Sequence, residues 1–354
     1  MDEVVLHPVS ITMPADELRA RYVKVALNGN PNPLWHFEMA VSRASRLAPP
    51  ARDVPAAGGG MISLALIHLD DPPFDTEVFG MHLLYEVDPA DWLEEWIARN
   101  AMVVLSHKRL STLGGMVGDV VVSWQVDGAR WMGRVFACKA GPRLMLIWFR
   151  AAAENYPRLA EGMFLAISTF KMTDESPGPL AEQVRWVAGE RPLEWRVAVP
   201  VSWQIMPEKG TDRVGSFQAT LLAAAGEGSS HQSPAMPEVM LGKLSMAVMG
   251  LEVVAAAEEA LARMMEALKD AGVSVSGATL EPEAPREPYE ATWLCDAAAV
   301  VNARPARMRC RVMRHAKVWV AALVLGPEPK EMPDVWMRVK RMLDIATMTL
   351  EMKG

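Results

Sequence analysis

Cysteine is scarce: Cys138, Cys295 and Cys310 are the whole supply in 354 residues. Their spacing fits neither a C-x-x-C metal clip nor a disulfide framework, so a stapled secreted fold and a zinc ribbon are excluded and a reducing compartment is expected. Basic residues are no more concentrated. The chain holds 36 Lys and Arg against 43 Asp and Glu, a formal net charge of -7, and its cations are scattered instead of forming a stripe. A phosphate backbone finds no footprint there, and nucleic acid is not expected as a partner. Long apolar runs are missing too. None reaches the roughly 18 residues that span a bilayer, and the opening Met-Asp-Glu-Val-Val-Leu-His-Pro lacks the basic and apolar regions of a signal peptide. The expectation is a cytoplasmic protein with no stable membrane insertion.

The signatures of chemistry are equally thin. Seven histidines (His7, His36, His68, His82, His107, His231 and His315) include no H-E-x-x-H and no i, i+4 pair. His68 and His82, with Asp70 and Asp71 between them, form the one place where a polar site could assemble, and solvated loop side chains explain the same residues. There is no G-x-S-x-G elbow, and the cysteines lie in apolar strand candidates where a thiol is buried and inert. Gly114-Gly-Met-Val-Gly118 has the glycines of a phosphate loop. It lacks the following Gly-Lys-Ser/Thr, and Asp119 places negative charge where an anion would sit. Asp91, Glu94 and Glu95 open a helix candidate, where carboxylates complement the helix dipole. No enzyme, no metal and no cofactor is the resulting expectation.

What is present is material for cores. Hydrophobic residues make up 51% of the chain and charged residues 22%, which excludes disorder, and the length predicts two domains. A Pro/Gly-rich stretch at 173–182 marks a boundary near the midpoint. On either side the same order of elements recurs at an offset of roughly 180 residues. In the first half a strand over Met61–Leu69 precedes a helix at 88–97. Strands then follow at 119–126, 130–138 and 143–149, the first two joined by Asp127-Gly128, and a helix closes the half at 156–170. In the second half 244–251 and a helix at 254–271 lead to strands at 290–297, 306–314 and 317–325 and a helix at 332–349. Pro157 and Pro333 open the two closing helices, where a missing N–H costs nothing. Extended segments with proline, Leu6–Pro14 and Trp195–Ile205, begin the halves, and 47–60 and 224–237 read as equivalent loops. Short steps between strands predict antiparallel pairing and an α+β class.

This order of elements resembles the PsbP-like α/β/α sandwich, and within it the DcrB-like family that includes the EagR chaperones of bacterial type VI secretion. Leu110 to Trp124 is similar to that family's small-residue turn and first meander strand. Arg143–Phe149 with the helix at 156–170 is similar to its last strand and closing helix, and Pro200-Val-Ser-Trp203 to the end of its opening strand. The resemblance implies two tandem sandwiches, each an antiparallel sheet with flanking helices, at 1–174 and 183–354 with a linker at about 175–182. It also implies a duplicated chain that acts as a pseudo-dimer. Its implied activity is that of a chaperone or adaptor holding the hydrophobic N-terminal helices of a secreted effector. The alternative is a structural or regulatory module that binds a soluble partner.

The 25 methionines and 12 tryptophans sharpen that expectation. Methionine is flexible and polarizable, so a Met-rich surface repacks around apolar partners of different shape. Several strand candidates are apolar on both faces. Strict alternation puts Met61, Ser63, Ala65 and Ile67 on one face, Ser245, Ala247 and Met249 on another, and Trp319, Ala321 and Leu323 on a third. With Met145 and Ile147 these are the candidate groove residues, their small members admitting a foreign helix closely. The competing reading is structural: a sheet covered on both faces by its own helices shows the same pattern.

Overall fold

The structure, a computed structural model, describes residues 6–48, 60–112, 115–174, 178–206, 210–223, 240–285 and 287–353. The chain divides into two compact units, Met1–Ala181 and Glu182–Gly354. The first contains α1 (Ala15–Arg21), β1 (Tyr22–Leu27), β2 (Phe37–Ser42), β3 (Arg46–Ala48), β4 (Ile62–Leu69), β5 (Phe74–His82), α2 (Pro89–Arg99), β6 (Val103–Thr112), β7 (Gly115–Val126), β8 (Ala129–Ala140), β9 (Arg143–Ala152), α3 (Tyr156–Thr169) and β10 (Lys171–Met172). The second contains β11 (Val184–Gly189), β12 (Glu194–Pro200), β13 (Trp203–Met206), β14 (Val214–Leu222), β15 (Met240–Gly250), α4 (Ala257–Asp270), β16 (Val273–Ser276), β17 (Glu281–Glu283), β18 (Ala291–Val301), β19 (Arg304–Arg314), β20 (Val318–Pro327), α5 (Pro333–Met348) and β21 (Glu351–Lys353).

Each unit is built on one large antiparallel sheet, in the order β3-β4-β5-β9-β8-β7-β6 in the first and β13-β14-β15-β20-β19-β18-β16 in the second, where β17 also pairs with β18. One face of each sheet packs against the closing helix and a small three-stranded sheet. Phe37, Met39, Ile147, Phe149, Leu159 and Met163 meet there in the first unit, and Val197, Phe217, Val320, Val339 and Met342 in the second. The other face carries α2, through Leu93, Trp96 and Ile97, or α4, through Ala260, Leu261 and Met264. Both units are therefore α/β/α sandwiches of the α+β class. The shared construction extends to single atoms. Thr169 at the end of α3 donates to the Leu165 carbonyl at 2.8 Å and accepts from the Ala40 N–H at 2.9 Å. Thr349, 180 residues later, donates to Ile345 at 2.7 Å and accepts from Ala198 at 3.0 Å.

The meander hairpins follow their turn chemistry. Asp127 and Gly128 both take positive φ (49° and 80°), the geometry that a two-residue turn of matching twist demands. Asn302 and Ala303 do the same in the second unit (49° and 63°). Ala303 carries a Cβ that this conformation penalises. Ala303→Gly is therefore expected to stabilise the second unit by about 0.5–1 kcal/mol after the glycine's own entropy cost, read as a higher urea midpoint at unchanged slope.

The correspondence between halves differs from the expectation in several respects. The strand preceding α2 is β5, so β15 corresponds to β5, and β4 corresponds to β14. Of the segment 47–60, read as a loop, residues 47 and 48 belong to β3 and the rest lies between β3 and β4, whereas 224–237 lies between β14 and β15, so the two are not equivalent; residues 49–59 and 224–237 lie outside the described residues. β5 escapes a sequence reading because Asp75 and Glu77 interrupt its apolar pattern, and their partners come from neighbouring strands. Leu6–Pro14 is not a strand. Trp195–Ile205 breaks after Pro200 into β12 and β13, which join different sheets.

Candidate functional site

The inner helices cover only part of their sheets. α2 packs over β6, β7 and β8, and α4 over β16, β19 and β20. Each leaves a strip beyond the helix, formed by β4 and β5 in the first unit and by β14 and β15 in the second. The two strips differ in what fills them.

In the first unit large and charged side chains close the strip. Glu77, only 1% exposed, accepts from Ser63 Oγ at 3.0 Å and from Arg150 Nη2 at 3.1 Å. The Arg150 guanidinium lies 4.6 Å over the Trp148 ring, which meets Trp96 edge-on at 5.4 Å, and Phe79 is buried alongside. A bulge at Leu64 shifts the register between Ser63 and Ala65. That one extra residue overturns the alternation read from the sequence. Met61 and Ser63 fall on the α2 side, whereas Ala65 and Ile67 turn to the α3 side and enter its core. Met145 and Ile147, both 0% exposed, lie in that same core beneath α3.

In the second unit the candidate residues do share a face. Met249, Trp319, Ala321 and Leu323 pack with α4 in one cluster and are 0–6% exposed. Ser245 and Ala247 lie further out and are half-buried. Between them and α4 runs an open trough of about 270 Å³. Ser216, Ser245 and Ala247 form its floor, Met249 and Leu323 border it, and Met264, Ala267 and Leu268 line the helix side. Lys243 and Arg263 are its charged members, and among the described residues no carboxylate lines it. Lys243 is flanked across the sheet by Thr220 and Leu325, and burial draws its ammonium pKa below the ordinary lysine value.

The other polar residues singled out in the sequence lie apart from this trough. His68 and His82 stand at opposite ends of the β4–β5 hairpin, with Ile62 opposite Gly80 and His68 opposite Asp75. They do not form one site. The His68 ring nitrogens lie 2.6 Å from Asp75 Oδ1 and 3.0 Å from Asp70 Oδ1. The hydrogen bond to Asp75 is the main cause that raises the His68 pKa. A raised value means that the pairing contributes fully below the unfolded-state pKa and is lost as pH rises through the folded one. An NMR titration is expected to place the His68 midpoint above the usual value of about 6.5, and Asp75→Asn to return it toward that value.

Asp88 caps α2, accepting from the Ala90 and Asp91 N–H groups at 2.9 and 3.3 Å and from Met116 N–H at 2.8 Å. Asp91 and Glu94 bind Arg109 at 3.0 and 2.7 Å. Gly118 needs its small size because a Cβ there would lie 2.9–3.0 Å from Leu93 and Ala90 of α2, while Gly114 lies outside the described residues. Cys295 and Cys310 face each other across β18 and β19. Burial raises both thiols and pushes Cys138 up to about 12, so all three are held protonated. Among the described residues no group of three or more His, Cys, Asp or Glu could hold a metal, and no helix is long and apolar enough to cross a membrane.

No family model matches the chain, and no curated protein does. Among solved structures, PsbP (CyanoP) of Synechocystis sp. PCC 6803 is 9% identical, matching 43% of this chain and 93% of its own at a TM-score of 0.33. The Ran-binding protein Mog1p of Saccharomyces cerevisiae is 12% identical over 48% of this chain and 95% of its own, at 0.31. The immunity protein TplEi of T6SS from Pseudomonas aeruginosa is 10% identical over 89% of this chain and 94% of its own, at 0.18. Likenesses of this extent leave the functional reading to the chain's own geometry.

Proposed function

We propose that the chain is a non-enzymatic protein-binding module, a chaperone or adaptor whose second unit receives an apolar helix in the trough beside α4. The observation that carries this reading is the floor of Ser216, Ser245 and Ala247 between apolar borders at Met249, Met264 and Leu323. Small side chains let a helix approach the strands closely, as they do between packed membrane helices. A helix is about 10–12 Å across, so the trough takes the side chains of one helix face. Water is displaced from that face at about 25 cal/mol per Å² of apolar surface. The occupant is the one implied by the EagR resemblance, an apolar N-terminal helix of a type VI secretion effector. The methionines contribute as a border more than as a lining: Met145, Met246, Met308 and Met313 are core residues, and Met206, Met240, Met332 and Met348 are exposed.

Co-expression with an effector fragment that carries such helices tests the reading. The fragment is expected to become soluble and to co-purify with the chain, and Ala247→Trp, which fills the trough, is expected to abolish both effects. A fragment equally insoluble with and without the chain would overturn it. A second reading, a module for a soluble partner, is favoured by a separate observation. β6 is an edge strand that pairs with β7 alone among the described residues and exposes Val103, Val104, Leu105 and Leu110. An extended segment of a partner could add to that edge. The bulge beside Leu105 and the cations Lys108 and Arg109 are features that protect edges against indiscriminate pairing.

A further inference from the structure

We infer that the apolar helix filling the second unit's trough carries one carboxylate on its docking face, placed to pair with Lys243. This rests on the trough being a helix-binding site and specifies the chemistry of its occupant. Lys243 lies in the middle of β15 on the α4 side, half-buried, between Thr220 and Leu325. Among the described residues it has neither an ion pair nor a hydrogen bond. Burying a cation is costly unless an anion and hydrogen bonds replace the lost water.

The first unit shows how this fold meets such a charge from within. In its corresponding strip the carboxylate of Glu77 is bound by Arg150 and Ser63, at 3.1 and 3.0 Å, and the strip is closed. The second unit presents the opposite case, an open strip whose Lys243 has no matching carboxylate among the described residues. The other charged side chain of the trough, Arg263, is also a cation; it donates to the Val253 carbonyl at 3.0 Å and lies 3.8 Å from Glu259. With two cations and no carboxylate among the described residues of the lining, the complementary occupant is an anion set among small apolar residues. A Lys–carboxylate contact is charge-assisted and gains strength as the arriving helix excludes water.

Two labelled peptides test this against the full chain by fluorescence anisotropy. Both are amphipathic helices of roughly 18 residues with Ala and Leu on one face, identical except for Glu or Gln at the centre of that face. The Glu peptide is expected to bind roughly ten-fold more tightly, and the advantage to shrink at high salt. It should disappear in Lys243→Met, which keeps the length and apolar stem of the side chain, while the Gln peptide's affinity stays unchanged. Lys243→Gln, with circular dichroism and melting to confirm folding, provides the second variant. Equal binding of the two peptides to the wild-type chain would overturn the carboxylate assignment and leave helix binding standing. A Glu preference that survives in both variants would also overturn it. Failure of both peptides to bind would remove the helix-binding reading itself.

Discussion

Arg134→Met is expected to destabilise the first unit by about 3–5 kcal/mol, a large share of a domain's total stability. Arg134 is fully buried on β8, and its guanidinium holds the Asp119 carboxylate through two bonds of 2.8 and 2.6 Å. His7 Nε2 lies 3.2 Å from the same carboxylate, and Arg134 donates to the Pro8 carbonyl at 3.3 Å, so the cluster also anchors the segment before α1. Removing the cation leaves a buried carboxylate without its main partner, which costs more than the pair itself contributes. Arg134→Met combined with Asp119→Leu should recover most of the loss, because an apolar pair replaces two charges that were expensive to desolvate.

The pH dependence gives an independent check. Burial alone raises the Asp119 carboxyl, but hydrogen bonds from Arg134 and His7 outweigh it and hold the group below the ordinary carboxylate range. A depressed folded-state pKa contributes stability above the unfolded value of about 3.9 and loses it as pH falls through the folded one. The gap between wild type and Arg134→Met, measured by urea unfolding, should therefore be full near neutrality and narrow in acid. A gap that stays constant down to the lowest pH would show that the loss comes from packing and not from charge.

The sequence was most legible where local chemistry decides the outcome. Asp127-Gly128 predicts its turn, Pro157 and Pro333 the starts of α3 and α5, and the strands of both meanders lie where their apolar runs put them. It was least legible where partners are distant. β5 was hidden because Asp75 and Glu77 look like loop residues until His68 and Arg150 reach them from adjacent strands. β1 and β2 could not be foreseen as a separate sheet, since their third strand, β10, comes more than 100 residues later. The bulge at Leu64 divided one candidate face between two sides of a sheet, and no composition signal marks a bulge of that kind. In the second unit, regular alternation placed Ser245, Ala247 and Met249 together on the α4 side. What could not be read was that α4 covers Met249 but stops short of Ser245 and Ala247, because helix placement depends on which strands are neighbours.

The second large effect is expected at the end of the first unit. Lys139, on β8, bonds both oxygens of Glu86 at 2.7 and 2.6 Å and the Pro179 carbonyl at 3.1 Å, while the Ala181 N–H donates to Glu86 at 2.5 Å. Lys139 and Glu86 are both buried, so they act as a clamp that fastens residues 179–181 to the sheet. Lys139→Met is expected to cost about 3–5 kcal/mol and to expose this segment to protease at concentrations that leave the wild-type chain intact. Lys139→Met with Glu86→Leu separates the two consequences. An apolar pair should restore most of the stability, yet it offers neither the donor for Pro179 nor the acceptor for Ala181, so cleavage near those residues should persist. Protection that returned together with stability would mean that 179–181 is held by the unit's general packing. Cleavage that persists in a restabilised chain would assign the fastening to the two charged side chains, with Arg143, which donates to the Asp174 carbonyl at 2.8 Å, holding the stretch before it.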